Sequence, residues 1–255
     1  MILCFDVGNT DIDTGVFEND ILVKTFNIPY SKSQPAQEYE KGIRDALSEN
    51  NIDKETVEDC VLCSVVAIVT DAISRAISDI FGKEAVMFNK DNCDMVIKTD
   101  NPREVGTDII VGCLAVKERY TMPAIVLDMG TATTVTAMDK DGAILGVSIV
   151  TGAIPMLRAL NTSTGLPVDY ELLPPPKAIG TNTPDSIASG AVFGYAYMMD
   201  GLIKAFEKEM GAKCNIYATG GIAKVIMPLA ECECTINNSL LLDGLYMYYK
   251  SLRKK

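Results

Sequence analysis

The feature that most constrains this chain is an internal duplication of a strand–turn–strand pattern. Residues 2–24 and residues 124–146 each begin with an apolar run that ends in an Asp-x-Gly triplet, Asp6-Val7-Gly8 in the first copy and Asp128-Met129-Gly130 in the second. The two aspartates are 122 positions apart (128 − 6), and the flanking runs align at this offset without a gap. Repetition over this length predicts two copies of one supersecondary unit.

Each copy continues through a β-branched stretch and a turn into a further apolar run. The turns are Asn19-Asp20 and Asp141-Gly142, and the runs after them are Ile21–Phe26 and Ala143–Val150. Asn, Asp and Gly tolerate the positive φ of tight hairpin turns, so each copy is predicted to form a β-hairpin.

Helical and strand-like segments alternate after each hairpin, which predicts an α/β fold whose sheets are covered on both faces. We expect an N-terminal lobe over residues 1–120 and a C-terminal lobe over 121–255, because a helix stops and a strand starts near Tyr120-Thr121-Met122-Pro123. The further helices are predicted at 36–49, 67–80, 105–120, 153–161, 185–209, 222–229 and 239–251, and buried strands at 60–66 and 214–219.

Charge and composition exclude several classes of function. The formal net charge is −11 and no basic run is present, so nucleic acid is not an expected partner. No apolar run approaches the roughly 20 residues that cross a bilayer, and the N-terminal residues lack a signal-peptide pattern, so we expect no membrane partner and a cytoplasmic location.

Eight cysteines and the absence of histidine restrict the chemistry further. Cys232 and Cys234 form a lone C-x-C, and without a second pair or a histidine a structural zinc site is not expected. Ser-His and Cys-His nucleophilic pairs are excluded, so a general base must be a carboxylate, a lysine or a tyrosine.

Two loops carry the pattern of a phosphate site. A tight loop with a central Gly and small polar residues directs several backbone N–H groups to one point, which suits phosphate oxygens. The loops contain Gly8, Asn9 and Thr10 in the first copy and Gly130 and Thr131 in the second. An Asp at the end of a buried strand is matched by a cation that bridges to the phosphates. An ordinary turn is the alternative for either loop alone, and the matching pair favours phosphate binding.

Two further segments are candidates. Gly220 and Gly221 follow a buried strand and precede a helix, so they could lie against an adenosine group or form a plain strand-to-helix turn. Asp108 is predicted at or near the start of a helix, where it could cap free N–H groups or accept a proton from a substrate hydroxyl.

In their order along the chain, these motifs resemble the type III pantothenate kinases, within the actin-like ATPase superfamily, over essentially the whole chain. The matching segments are Asp6–Thr10, Asn101–Asp108, Asp128–Thr134, Gly180–Thr183, Ala218–Gly221 and Leu242–Leu245. The resemblance implies a duplicated ribonuclease-H-like fold with two lobes and a nucleotide cleft between them. It also implies ATP-dependent phosphorylation of pantothenate by a homodimer that uses Mg²⁺ and a monovalent cation, K⁺ or NH₄⁺.

The resemblance also implies roles for individual residues. Asp6, Gly8, Asn9 and Thr10 would hold the ATP phosphates and Mg²⁺, Asp108 would be the general base, and Asp128 would bind the monovalent cation. Gly130, Thr131, Gly220 and Gly221 would contact ATP. Gly106, Thr107, Ile109 and, from the other subunit of the dimer, Thr183 would contact the acceptor.

The motif set departs from the family pattern at four positions, and the departure at Ile109 lies in the acceptor segment. Ile109 stands where relatives commonly have Arg, Thr99 where they commonly have Tyr, Asp11 where the first loop commonly ends in Asn, and Thr151 where a Pro usually precedes Gly152. Pantothenate carries a carboxylate, and a lost Arg contact removes a strong charge-assisted partner. Two alternatives therefore stay open: a paralogue that phosphorylates another hydroxylated metabolite, and a non-catalytic nucleotide-binding regulator.

Overall fold

The computed structural model describes residues 1–253, which form two compact units. The strands are β1 (Ile2–Val7), β2 (Asp11–Glu18), β3 (Ile21–Pro29), β4 (Asp59–Ser64), β5 (Val86–Met87), β6 (Ala124–Met129), β7 (Ala132–Met138), β8 (Ile144–Thr151), β9 (Asn215–Thr219) and β10 (Cys234–Ile236). The α-helices are α1 (Ala36–Glu49), α2 (Ala67–Phe81), α3 (Thr107–Arg119), α4 (Ala153–Thr164), α5 (Thr183–Met210), α6 (Ala223–Ile226) and α7 (Leu240–Arg253).

The sheet of the first unit has the strand order β3-β2-β1-β4-β5. β1 is antiparallel to β2 and parallel to β4, and it is buried along its whole length. A strand that is central in its sheet and covered on both faces requires an uninterrupted apolar sequence, as Ile2-Leu3-Cys4-Phe5 provides.

The second sheet repeats this topology in the order β8-β7-β6-β9-β10. β6 is antiparallel to β7 and parallel to β9, and its bounds are those of β1 moved by 122 residues. The predicted duplication and the predicted α/β class are therefore confirmed.

The two hairpins differ by one residue, which corrects the prediction of an ungapped alignment. Gly8 N–H donates to Asp11 O, whereas Gly130 N–H donates to Ala132 O, so the second loop is one residue shorter. As a result Asp6 lies opposite Asp13, but Asp128 lies opposite Thr134. The longer turn between β7 and β8 restores the offset at the third strand.

Alternate residues of β1 face two different layers. Leu3, Phe5 and Val7 pack with apolar residues of α1 and α2 in one buried cluster. Cys4 and Asp6 face the opposite side, where Gly15 of β2 lies close to Leu242 of α7. The polar residue Asp6 is thus placed on a face that the α1 and α2 cluster does not fill.

The core of the second unit is built around α5, the longest helix among the described residues. Val192, Tyr195 and Met199 recur at helical spacing and pack on Ile125 and Leu127 of β6. Tyr195 is buried, and its hydroxyl donates to Thr133 Oγ1 at 2.7 Å, so the polar group of the core is satisfied.

The two compact units are not two continuous halves of the chain, since each unit contains more than one segment. The C-terminal segment from Ser239, which contains α7, belongs to the first unit, whereas the predicted division assigned it to the C-terminal lobe. The reason is packing, since Gly244 of α7 lies against Val111 of α3 so closely that a Cβ would overlap the backbone of Val111. The division at residue 120 as a boundary between folding domains stays a prediction.

Two local predictions were wrong in detail. The helix predicted over 222–229 is a four-residue α6 followed by a 3₁₀ turn over Met227–Leu229, where Pro228 lacks the N–H that an α-helix needs. The strands β5 and β10 were missed because they have two and three residues. Within residues 1–253, no helix combines the length and the apolar character that a membrane crossing requires.

Candidate functional site

The first loop of the site follows the buried strand β1. Asp6 is 8% exposed and precedes the loop, and the hydrogen bond from Gly8 N–H to Asp11 O at 3.0 Å closes it. Asn9 and Thr10 are exposed at its tip. The predicted order, a buried carboxylate followed by an exposed glycine-containing loop, is therefore present.

Strand pairing places Asp6 beside two side chains of the same sheet. Asp6 lies opposite Asp13 in β2 and opposite Cys63 in β4. Burial raises the pKa of the Cys63 thiol well above its usual range, and the charges of Asp6 and Asp108 raise it further. Both carboxylates thus act on one buried thiol, which stays protonated.

Asp108 lies in the first turn of α3, close to the predicted position. The helix begins at Thr107, whose hydroxyl donates to Ser64 O at 3.4 Å and ties the start of α3 to the end of β4. Burial raises the pKa of the Asp108 carboxyl, while a hydrogen bond from Ile109 N–H to Asp108 Oδ1 at 2.8 Å opposes this shift. A carboxylate with a raised pKa is a stronger base than an exposed aspartate.

Gly106 leaves room for the carboxylate of Asp108. A Cβ at position 106 would overlap Asp108 Oδ1. Any residue with a side chain at 106 would therefore displace the candidate base, which explains the Gly two positions before it. Ile109, the next residue in α3, is partly buried.

The loop of the second unit is supported from below by a glycine. Gly130, Thr131 and Ala132 are exposed, and Gly152 N–H donates to Thr131 O at 3.0 Å. A Cβ on Gly152 would overlap Gly130 O and lie 2.7 Å from Thr131 O. The loop backbone rests directly on Gly152, whatever residue precedes that glycine.

Asp128 is half-buried and has a hydroxyl-bearing residue on each side. Its partner in β7 is Thr134 and its partner in β9 is Thr219. Paired residues of adjacent strands direct their side chains to the same face of a sheet, so one carboxylate and two hydroxyls share this face. This donor set contains oxygen alone, which suits a hard cation.

The glycine pair after β9 contains one constrained position and one open position. Gly220 has φ +93°, and a Cβ there would lie 2.5 Å from Met129 O, at the end of β6. A Cβ on Gly221 would meet nothing within 4 Å. Gly220 therefore holds the turn against the strand that carries Asp128, and exposed Gly221 leaves its outer side open.

Thr183 begins α5 at the edge of a groove within the second unit. Asn182 caps this helix by accepting from Asp185 N–H at 2.9 Å. The groove has a volume of about 730 Å³, and its walls come from α4 and the start of α5, among them Met156, Leu157, Leu160, Thr183 and Ile187. Thr183 itself is exposed.

Thr99 lies in the segment 96–102, which pairs with β8 through a bridge between Ile97 and Ile144. Its hydroxyl oxygen is buried and has no hydrogen-bond partner among the residues that the structure describes. A buried hydroxyl without a partner is uncommon in proteins.

Two contacts to the first loop come from residues that the sequence analysis did not single out. Tyr30 Oη donates to Gly8 O at 2.5 Å, and Lys32 Nζ donates to Asn9 Oδ1 at 2.7 Å. No local pattern predicts them, since each partner is more than 20 residues away in the chain.

A dedicated metal cage is not formed by the described part of the chain. No group of three or more His, Cys, Asp or Glu side chains in residues 1–253 could hold a metal ion. Mg²⁺ is commonly bound by one or two carboxylates together with water and substrate phosphates. A single buried carboxylate such as Asp6, placed before a phosphate loop, fits that mode of binding.

Comparison with protein families finds that the model described as "Type III pantothenate kinase" matches residues 2–205. A type III pantothenate kinase of Moorella thermoacetica is 34% identical over 251 residues, covering 98% of this chain and 99% of the relative. One from Roseiflexus castenholzii is 32% identical over 255 residues, covering both chains completely.

Comparison with solved structures shows the fold. A Baf family protein from Campylobacter jejuni superposes with a TM-score of 0.62 at 17% identity, covering 99% of this chain and 100% of that one. MreB 5 of Spiroplasma citri gives 0.56 at 8% identity, with coverages of 99% and 97%. The ROK hexokinase of Thermus thermophilus gives 0.52 at 15% identity, with coverages of 98% and 99%. Together with the two repeated sheets, these matches show the actin-like ATPase fold.

Proposed function

The chain belongs to the type III pantothenate kinase family, and we propose that it transfers the γ-phosphoryl group of ATP to the hydroxyl group of pantothenate, the first step of coenzyme A biosynthesis. The observation that carries this proposal is that one unit brings together a glycine-closed loop after buried Asp6 and a partly buried Asp108 with a raised pKa. The same proposal places the enzyme in the cytoplasm.

Asp108 is the proposed general base. In phosphoryl transfer the protein mainly positions the reactants and stabilises charge, and a carboxylate accepts the proton of the attacking hydroxyl. Burial keeps the carboxylate of Asp108 poorly solvated, and Gly106 leaves space for it. A non-catalytic nucleotide-binding protein would not require a base at this position.

The two loops are the proposed phosphate and nucleotide contacts. Gly8, Asn9 and Thr10 would bind phosphate oxygens through the exposed loop of the first unit, and Gly130 and Thr131 through that of the second. Gly220 and Gly221 would lie against the adenosine. These assignments are supported by the hydrogen bond from Gly8 N–H to Asp11 O, by the contact of Gly152 with the second loop, and by the close approach of Gly220 to Met129.

The cation sites follow from the oxygen ligands. Asp6 would hold Mg²⁺, and Asp128, with the hydroxyls of Thr134 and Thr219 beside it, would hold K⁺ or NH₄⁺. When bound, these cations would neutralise charge on the phosphates. Cys63, which pairs with Asp6 across the sheet, keeps its proton and is not proposed as a ligand.

Gly106, Thr107 and Ile109 are proposed to line the acceptor site, and Thr183 is proposed to complete it from the second subunit of a homodimer. Thr183 is exposed at the start of α5, where a partner could reach it. Light scattering and sedimentation at micromolar concentration test this part of the proposal. A protein that is monomeric in both measurements, and fully active, would contradict it.

The activity is tested with a coupled assay of ADP release, run with pantothenate and with a panel of other hydroxylated metabolites. We expect ADP release that depends on pantothenate, Mg²⁺ and K⁺ or NH₄⁺, with a phosphomonoester product visible by ³¹P NMR. The control is ATP without an acceptor. Turnover with another panel member but none with pantothenate would support the paralogue. Tight ATP binding without turnover on any acceptor would support the non-catalytic regulator.

A further inference from the structure

We propose that Lys32 is a phosphate-binding residue of this kinase, which exchanges its hydrogen bond to Asn9 for the terminal phosphates of ATP and stabilises the transferring phosphoryl group. The inference rests on the proposed function and adds to it a residue outside every motif of the phosphate loops.

Two side chains of the segment between β3 and α1 form hydrogen bonds with two consecutive residues of the first phosphate loop. Tyr30 Oη donates to Gly8 O at 2.5 Å, and Lys32 Nζ donates to Asn9 Oδ1 at 2.7 Å. The loop that would receive the phosphates therefore carries an ammonium group at its tip.

The backbone around Lys32 is fixed while its side chain is exposed. Ser31 N–H donates to Gln34 Oε1 at 2.8 Å, and Gln34 N–H donates back to Ser31 O at 3.1 Å. Tyr39 Oη, on α1, also donates to Ser31 O, at 3.0 Å. A lysine on such a turn can move its long side chain by a few ångströms without rearranging the chain that carries it.

The negative charge of the carboxylates near the loop favours a cationic side chain close to the bound phosphates. Asp6, Asp11 and Asp13 belong to the same hairpin, and ATP brings further negative charge. Residues 1–35 contain two basic side chains, Lys24 and Lys32. Lys24 Nζ donates to Asn50 O, away from the loop, so Lys32 is the basic residue of this segment that reaches the loop.

The hydrogen bond from Lys32 to Asn9 can be replaced by a stronger interaction. The amide oxygen of Asn9 is neutral, whereas a phosphate oxygen carries negative charge, so the lysine ammonium forms an ion pair with phosphate and only an ion–dipole hydrogen bond with the amide. Moving Nζ from Asn9 Oδ1 to a phosphate oxygen bound at the same loop therefore strengthens the hydrogen bond and frees the Asn9 side chain.

The test compares Lys32→Ala, Lys32→Gln and Lys32→Arg with Lys41→Ala, which removes an equal charge from an exposed position on α1. Affinity for ATP and for adenosine is measured by calorimetry, and kcat and KM for ATP by ADP release. We expect Lys32→Ala to weaken ATP binding or lower kcat/KM for ATP about 10- to 100-fold, as one charge-assisted hydrogen bond predicts. Adenosine binding and the Lys41→Ala variant should be unchanged.

The Gln and Arg variants separate charge from structure. Lys32→Gln keeps a donor for Asn9 Oδ1 without the charge, and Lys32→Arg keeps the charge. Rescue by Arg and not by Gln supports phosphate binding, while rescue by Gln overturns it and assigns Lys32 a structural role. A Lys32→Ala variant equal to Lys41→Ala in every measurement also overturns it.

A further readout does not depend on turnover. Acylation of Lys32 by an amine-reactive ester, followed by mass spectrometry, should be slowed by ATP and unaffected by adenosine. Equal acylation with and without saturating ATP overturns the inference. If the unmodified protein does not bind ATP at all, the proposed function fails first, and this outcome is distinct from ATP binding that is insensitive to Lys32.

Discussion

Cys63 lies beside Asp6 across the parallel pairing of β1 and β4, and the charges of Asp6 and Asp108 both raise the pKa of its buried thiol. Two carboxylates that are 102 positions apart in the chain (108 − 6) thus lie close to one sulfur atom. The sheet brings the end of β1 and the end of β4 to the same edge, and Thr107 fastens the start of α3 to that edge through Ser64 O.

Replacing Asp108 with Asn should remove the proposed base and keep nucleotide binding. We expect kcat to fall by about two to four orders of magnitude, the usual contribution of a positioned base. The dissociation constant for ATP should change less than about threefold, because the phosphate loops remain intact. Single-turnover kinetics and calorimetry measure the two quantities. Loss of ATP binding, or unchanged turnover, would contradict the assigned role.

The same variant should be more stable than the parent protein at neutral pH. The pKa of the Asp108 carboxyl is raised in the folded state, so burial of its charge opposes folding above that pKa and this penalty disappears as the pH falls. We expect Asp108→Asn to raise the unfolding midpoint at pH 7 and to have no such effect at pH 3, as thermal denaturation would show. A lower midpoint at pH 7 would argue against a poorly solvated carboxylate.

Activity should fall on acidification at a higher pH than an ordinary aspartate would give. A base acts in its deprotonated form, and burial raises the pKa of Asp108 above the value of about 3.9 that is usual for aspartate. The pKa that describes the fall of kcat/KM for pantothenate at acidic pH should therefore lie above that value. It should change when Asp108 is replaced with Glu. If this pKa is the same in the Asp108→Glu variant, the activity depends on the titration of a residue other than Asp108.

The two glycines after β9 form a matched pair for mutation. Gly220→Ala should lower the unfolding midpoint by at least about 4 °C, because φ +93° and the close approach to Met129 both disfavour a side chain. Gly221→Ala meets open space and should stay within about 1–2 °C of the parent. Differential scanning calorimetry compares the two variants, and equal midpoints would contradict the geometry of this turn.

Ile109→Arg should lower KM for pantothenate by about tenfold, because Arg supplies a charge-assisted partner for a carboxylate. This expectation assumes that the carboxylate of pantothenate binds beside the start of α3. KM for ATP should not change. Steady-state kinetics with both substrates varied measure this, with Ile109→Gln as the variant of similar polarity and no charge. An unchanged KM for pantothenate would mean that another residue binds the carboxylate.

Cys63 should be the slower of two thiols in the first unit to react with iodoacetamide. It is 1% exposed and its pKa is raised well above the usual range, whereas Cys93 is partly exposed and burial raises its pKa to about 11. Because the thiolate is the reacting species, we expect alkylation of Cys63 at pH 8 to be at least about tenfold slower. Mass spectrometry of the native protein measures both rates. Faster labelling of Cys63 would contradict its burial and its raised pKa.

Much of the fold followed from local periodicity. The bounds of α1 were predicted to the residue, because Tyr39, Ile43, Ala46 and Leu47 mark one helical face. The short strands β5 and β10 were missed, because two or three residues contain too little pattern and their strand state depends on a neighbour in the sheet.

The sequence by itself determined the duplication, the positions of Asp6, Asp108 and Asp128 at the ends or starts of elements, and the family, because these depend on residue types at fixed spacing. Only the tertiary structure decided which residues meet. The one-residue difference between the hairpins, the packing of α7 with the first unit and the contact of Lys32 with Asn9 join segments that are distant in the chain. Such contacts are set by strand register and close packing, which no local run of sequence contains.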